Sequence, residues 1–207
     1  MRQLLDGLLS LVAPFRCAGC DETGDGFAVF CPACLSLVDE VSGEGAVFEY
    51  GGPVADAIQR FKYDGRSELG GVLGAVMGEA ARRSVGSIDA VAPVPLHWRR
   101  RRERGYDQAA LLAKPVAKSL GLPLLLRGLR RVRNTPRQVE LPHQERQRNI
   151  EGAFAPWRLR GVGRVLLVDD VRTTGATLRA ASEALKAGGV LEVHTFVLAT
   201  RVLGQAA

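Results

Sequence analysis

The chain has 207 residues, a formal net charge of +6 and 24% charged residues, enough for one well-buried α/β domain with a small appendage and too little for two full domains. Its 46% apolar content is that of an ordinary soluble globular protein and excludes extensive disorder. The basic balance favours anionic partners: phosphorylated small molecules, nucleic acid or acidic protein surfaces.

Only four lysines occur, Lys62, Lys114, Lys118 and Lys186, so the positive charge is mostly arginine. The planar guanidinium suits phosphate recognition, although a coding preference for arginine explains the excess as a whole equally well. At the start, Leu4, Leu5, Leu8, Leu11 and Val12 recur at near-helical spacing. The stretch is too short to span a bilayer. Asp6 interrupts its apolar run and no small-residue cleavage site follows, so it reads as a short amphipathic helix of a cytoplasmic protein rather than a signal peptide.

Cys17-Ala-Gly-Cys20 and Cys31-Pro-Ala-Cys34 use every cysteine in the chain. Two CxxC turns brought together by a hairpin-like connection suit tetrahedral zinc, and a full set of four thiolates leaves no open position for catalysis. A thioredoxin-like reading needs a βαβ context that this position lacks, and two disulfides contradict a cytoplasmic location.

Residues 47–81 begin with a short strand, turn at Gly51-Gly52-Pro53 and continue as two helical parts separated by FKYDGR. By spacing alone that corner is solvated, and Lys62 and Tyr63 matter only if it folds over a ligand crevice. DAVAPVP, ending at Pro95, reads as a buried strand stopped by its prolines. The following stretch holds His97, Trp98, Arg99, Arg100, Arg101, Arg102 and Arg104 before Gly105-Tyr106-Asp107-Gln108 opens a helix. So dense a set of arginines is either a phosphate-binding loop or a solvated basic one. His97 reads as a surface or capping residue. The helix runs to about Leu120, with a kink expected at Pro115.

Leu124 to Leu126 reads as a further strand. Residues 134–149 are polar, contain Pro136 and Pro142, and carry Arg137, Gln138, Arg146 and Arg148. A loop of this length in a compact domain is usually functional. It is either a lid that closes over an anion or a surface excursion. Gly152-Ala153-Phe154 then returns to the sheet, and residues 190–199 give the last strand.

The most informative stretch is GRVLLVDDVRTTGAT, residues 163–177. Val165 to Val168 form a continuous apolar run, as in a strand buried on both faces of a parallel sheet. Asp169 and Asp170 stand where that strand leaves the sheet, beside the crevice where open α/β sheets bind ligands. Val171, Arg172, Thr173, Thr174, Gly175, Ala176 and Thr177 lead into a helix whose N-terminal N–H groups and dipole favour an anion. Neighbouring hydroxyls on one side and a phosphate on the other match this order, so ribose 5-phosphate is the natural ligand. The loop lacks GxxxxGK[ST], which excludes an ATP-type P-loop.

VLLVDDVRTTGAT resembles the phosphoribosyl-pyrophosphate (PRPP) signature of type I phosphoribosyltransferases. Together with the CxxC pairs, YGGPVADAIQRFKYDGR, APVPLHWRRRRERGYDQA, LGLP, TPRQVEL, ERQRNIEGAF and the continuation into Leu178, it resembles the ComF family of competence proteins over nearly the whole chain. The resemblance implies a type I phosphoribosyltransferase-like, mainly parallel sheet flanked by helices (residues 46–207), preceded by an N-terminal helix and four-cysteine zinc module (residues 1–45). It implies PRPP with Mg²⁺, and pyrophosphate displaced by an unnamed acceptor. Asp169 and Asp170 would hold the ribose hydroxyls and act in catalysis, and residues 171–177 the 5-phosphate. Pro95, Leu96, Arg104, Arg137, Gln138 and Arg146 would belong to the pyrophosphate loop and lid, and Cys17, Cys20, Cys31 and Cys34 would hold structural zinc. It also implies natural transformation, with single-stranded DNA and a competence helicase as partners. The alternative is a non-enzymatic DNA- or helicase-binding factor that uses PRPP only as a regulatory ligand. Asp107 stands where the family usually has Asn, and Pro115 in a helix usually free of proline.

Overall fold

The structure is a computed structural model that describes residues 16–24, 29–41, 43, 45–133, 150–159 and 161–201. The N-terminal apolar stretch and residues 134–149, with Arg137, Gln138, Arg146 and Arg148, lie outside the described residues.

Four strands form the main sheet: β1 (Ala46–Glu49), β2 (Ala90–Pro93), β5 (Arg164–Arg172) and β6 (Glu192–Thr200), in the order β1-β6-β5-β2. Every pairing is parallel. β3 (Leu129–Arg131) and β4 (Phe154–Pro156) pair antiparallel as a separate small sheet. Gly152-Ala153-Phe154 therefore leads into this small sheet rather than the main one. Leu124 makes a single parallel bridge to Val91, not the full strand its apolar run predicts, because the chain turns away at residues 126–127.

β5 is covered on both faces, which accounts for its unbroken apolar run. Leu166 and Val168 join one buried cluster with Ile58, Phe61, Met77, Leu112 and Phe196. Val165 and Leu167 join another with Leu178, Ala181, Leu185 and Val197. Each such side chain contributes about 1.5–3 kcal/mol when fully buried. Cys17, Cys31 and Cys34 lie in the first cluster, so the cysteine knuckle packs directly on the main core.

Six helices are described: α1 (Pro32–Leu35), α2 (Gly52–Tyr63), α3 (Leu69–Ser84), α4 (Trp98–Arg104), α5 (Gln108–Leu120) and α6 (Ala176–Ala187). The arginine-rich stretch after β2 is thus the short helix α4 rather than a loop, capped by His97, whose Nδ1 accepts from the Arg99 N–H at 3.4 Å. On α3, Gly70, Gly74 and Gly78 repeat every four residues and form one stripe against α5. A Cβ at Gly74 would lie 2.8 Å from the Leu112 carbonyl oxygen and 2.9 Å from Pro115 Cγ. The glycines let the helices touch backbone to backbone. α5 continues across Pro115 to Leu120, with the proline ring seated against Gly74.

The topology defines one crevice. From β2 the chain passes through α5 to the Leu124 bridge on the outer side of β2; from β5 it passes through α6 to β6 on the opposite side. The connections diverge between β2 and β5, so the crevice at the carboxyl ends of these strands is the switch point at which such sheets bind ligands.

Candidate functional site at the carboxyl ends of β2 and β5

β2 pairs with β5 only as far as Pro93 opposite Val168. β5 continues to Arg172, paired on its other side with β6. Asp169 and Asp170 are therefore not past the end of the strand, as the sequence predicts, but on a strand flank that β2 leaves open. Beside them lies a cavity of about 770 Å³, within the usual range for small-molecule sites.

Of the residues expected at a site, Pro95, Leu96, Arg104, Asp169, Asp170, Val171, Thr173 and Thr177 line this cavity. Arg172 and Gly175 border a separate hollow of about 330 Å³, and Arg172 Nε donates to Thr200 Oγ1 at 3.1 Å. Thr174 is turned to local bonding: its Oγ1 accepts from Ala176 N at 3.4 Å and its carbonyl accepts from Arg179 at 2.9 Å. Ala176 is buried. Gly175, at φ 74°, caps the N-terminus of α6 in the left-handed region that glycine enters without a Cβ clash.

The acid pair is electrostatically unusual. Burial, followed by the neighbouring Asp170 charge, pushes Asp169 up to about 8, while the Asp170 N–H and Lys62 pull the other way. Asp169 Oδ1 accepts from Asp170 N at 2.9 Å. Lys62, at the end of α2, places Nζ 3.0 Å from Asp170 Oδ2. Burial works against the Lys62 ammonium, but Asp170 and Asp169 hold its pKa above the ordinary lysine value. The FKYDGR corner, solvated by spacing alone, does fold over the crevice; no local signal carries that, because it depends on where α2 packs.

Asp107 caps α5 and joins two parts of the site: Oδ1 accepts from Ala110 N at 3.2 Å and Oδ2 from Leu96 N at 3.1 Å. Burial raises its pKa. Arg131, from β3, also reaches the cavity, and burial, then Arg100, lowers it to about 10. The sequence does not separate Arg131 from its arginine neighbours. Gln108 lines the same cavity; it is 3% exposed, and its buried Nε2 has no hydrogen-bond partner among the described residues. A buried amide donor in this state needs an acceptor.

The four cysteine Sγ atoms lie within 4.8 Å of one another, and Cys20 and Cys31 are 3.7 Å apart. Four thiolates at about 2.3 Å from one ion stand about 3.8 Å apart, so the set fits a tetrahedral metal. Cys31 N donates to Cys17 Sγ at 3.2 Å. Although burial opposes it, this and the Cys20 and Gly19 N–H groups bring Cys17 down to about 6, as suits a thiolate ligand. Burial and the other thiols push Cys34 up; a bound cation would reverse that balance.

Among the described residues, no helix is long and apolar enough to cross a membrane.

The family described as "Phosphoribosyl transferase domain" matches residues 107–205. Competence protein F of Haemophilus influenzae is 32% identical over 196 residues, covering 88% of this chain and 83% of that protein. DNA utilization protein YhgH of Salmonella typhi is 32% identical over 174 residues, covering 81% and 76%. Among solved structures, a glutamine PRPP amidotransferase from B. subtilis matches with a TM-score of 0.47 and 23% identity, over 67% of this chain and 30% of that one. With a parallel sheet flanked by helices, an acid pair at its switch point and a knuckle of four cysteines, the chain belongs to the ComF family of competence proteins and carries its phosphoribosyltransferase-type domain.

Proposed function

We propose that the protein binds PRPP in the cavity between β2 and β5 and transfers its phosphoribosyl group to an acceptor, in a cytoplasmic pathway of DNA uptake. The observation that carries this reading is the placement of Asp169 and Asp170 on the open flank of β5, with Thr173 and Thr177 before α6 and Leu96 and Arg104 across the crevice, all lining one cavity. The ribose hydroxyls go to the acid pair. The 5-phosphate goes to the N-terminus of α6, where Thr173 and Thr177 line the cavity and backbone N–H groups and the helix dipole favour an anion. The pyrophosphate lies toward Pro95, Leu96 and Arg104, which line the cavity. Gln108 Nε2 supplies a donor to a ligand oxygen. The names of the relatives, competence protein F and DNA utilization protein, support the biological setting.

In the reaction the acceptor's lone pair forms the bond to C1 while the C1–O bond to pyrophosphate breaks and its electron pair leaves with the pyrophosphate. The chain's residues act by holding donor and acceptor in line and by placing arginines where charge builds on the leaving group. The Asp170 carboxylate faces the ribose and stabilises positive charge at C1, while Asp169, raised to about 8, hydrogen-bonds a ribose hydroxyl. Mg²⁺ bound with PRPP would offset the charge of its phosphates, and Asp170, with Asp169 once that acid gives up its proton, would be the carboxylates to hold it. The knuckle ion is structural zinc, and the division between residues 1–45 and 46–207 belongs to the same reading, supported by the start of β1 at Ala46. Pyrophosphate release from PRPP, Mg²⁺ and a panel of acceptors tests transfer. Release that depends on one acceptor supports it; none with any acceptor, despite PRPP binding, leaves PRPP a regulatory ligand.

A second reading, single-stranded DNA binding, draws on one observation absent from the sequence. Trp157 is 43% exposed between Arg130 at 5.5 Å and Arg158 at 5.7 Å. Trp98, 59% exposed, lies under Arg99 at 5.3 Å. Exposed aromatic rings flanked by guanidinium groups are the parts of a base-stacking, phosphate-holding surface. Tryptophan quenching by an oligo-dT strand, steeply weakened by salt and lost in Trp157→Ala, supports it; unchanged fluorescence excludes it. A competence helicase is the partner such a surface would serve.

A further inference from the structure

The end of α2 is held from two sides. Residues two apart on a helix point about 200° away from each other, so Arg60 and Lys62 leave α2 in opposite directions. Arg60 Nη1 donates to the carbonyls of Ala18, at 3.3 Å, and Gly19. These are the two residues between Cys17 and Cys20. Past the turn at Gly65, Arg66 returns to the same knuckle and pairs with Asp21. The knuckle turn is closed by Asp21 N donating to Cys17 O at 3.0 Å and Cys17 N to Glu22 O at 2.9 Å. It sits hard on the start of α2 as well: a Cβ at Gly19 would come within 2.8 Å of Pro53 Cβ. On the other side, Lys62 meets Asp170 at 3.0 Å. Between them Phe61 is fully buried, its ring stacked on Tyr106 at 5.9 Å and its carbonyl accepting from the Tyr106 hydroxyl.

The geometry points to Lys62 as a positioning residue of the PRPP site, set in place by the metal-bound knuckle through Arg60 and Arg66. A metal ion fixes the turn from Cys17 to Cys20 and so fixes the two carbonyls that grip Arg60. With Arg60 and Arg66 held, α2 cannot rotate without carrying Lys62 away from Asp170. The ammonium orients Asp170 and adds positive charge to a cavity that must take a polyanion. The inference rests on the proposed binding of PRPP to the acid pair and of zinc to the cysteines. It adds that the two sites are thermodynamically coupled, and coupling of binding is reciprocal.

The test uses the zinc-loaded full chain. PRPP affinity is measured by calorimetry, and zinc affinity by equilibrium competition with the chromogenic chelator 4-(2-pyridylazo)resorcinol with and without saturating PRPP. We expect PRPP to tighten zinc binding by about fivefold or more, the lower end of ordinary allosteric coupling. Lys62→Met should retain its zinc and lose that tightening. The double variant Arg60→Met/Arg66→Met leaves the cysteines and the acid pair intact; it should weaken PRPP binding by a similar factor and bind zinc with an affinity PRPP no longer changes. If the wild type binds PRPP but holds zinc equally tightly with and without it, the coupling is refuted while the PRPP site stands. Tightening that persists in Lys62→Met likewise overturns the role of Lys62. If the wild type binds no PRPP, the proposed function falls and this inference with it.

Discussion

Replacing Lys62 by Met removes the cation 3.0 Å from Asp170 while keeping most of the side-chain volume. The side chains of the pair are 21% and 12% exposed, so solvent screens the interaction only in part. At an effective dielectric of about 20, two charges 3 Å apart attract by about 5 kcal/mol. Relieving the buried ammonium of its own desolvation offsets some of this, which leaves a loss of about 3 kcal/mol, at the low end for a broken buried pair. The loss depends on pH. Lys62 is among the groups that hold Asp169 down; below about pH 8 Asp169 already carries a proton, so its attraction to Lys62 is absent there and is not lost with the cation. Destabilisation is therefore greatest above pH 8 and shrinks toward pH 6. Urea unfolding of wild type, Lys62→Met, Asp170→Asn and the double variant at pH 6 and pH 8.5 gives the coupling directly. A coupling energy near zero at both values, or a Lys62→Met loss unchanged by pH, would refute this electrostatic account of the pair.

Gly74→Ala places a methyl 2.8 Å from the Leu112 carbonyl oxygen and should destabilise by about 1–3 kcal/mol, although alanine is the better helix former. Gly71→Ala, one turn earlier with nothing within 4 Å of the new Cβ, should stabilise by up to about 1 kcal/mol; equal effects in urea unfolding would contradict the packing. Because Asp169 is raised to about 8, the folded state holds a proton that the unfolded chain has released. Its contribution to stability is thus greatest at low pH and is lost as pH rises toward 8, with a slope of at most about 1.4 kcal/mol per pH unit. Asp169→Asn should flatten the unfolding free energy over pH 5–8, and an unaltered slope would assign the titration elsewhere.

What could be read in advance divides along physical lines. β5, the turn at Gly175 and α6 are local patterns: an apolar run, two acids, hydroxyls and a glycine fixed by neighbours in sequence, so each was legible. The cysteine pairs were legible because a tetrahedral metal needs that spacing. Lys62 was not, since its place beside Asp170 depends on the docking of α2, set by Phe61, Tyr106 and the knuckle. The setting of Trp157 has no local signal because Arg130 meets it from β3, across the pairing with β4, and Leu124 reads as a strand because apolar runs do not record where pairing stops. The extension of β5 past Val168 has the same cause: β6 continues to Thr200 while β2 ends at Pro93, and strand ends are decided by partners.

Calorimetric titration of the zinc-loaded protein with PRPP and Mg²⁺ decides whether the cavity beside Asp169 and Asp170 is a PRPP site. One site per chain is expected, with affinity weakened at least about tenfold in Asp170→Asn and Thr177→Val, and in Gln108→Leu by the loss of one buried hydrogen bond, worth about 1 kcal/mol. PRPP binding that survives all three substitutions unchanged, or no binding by the wild type, would contradict it.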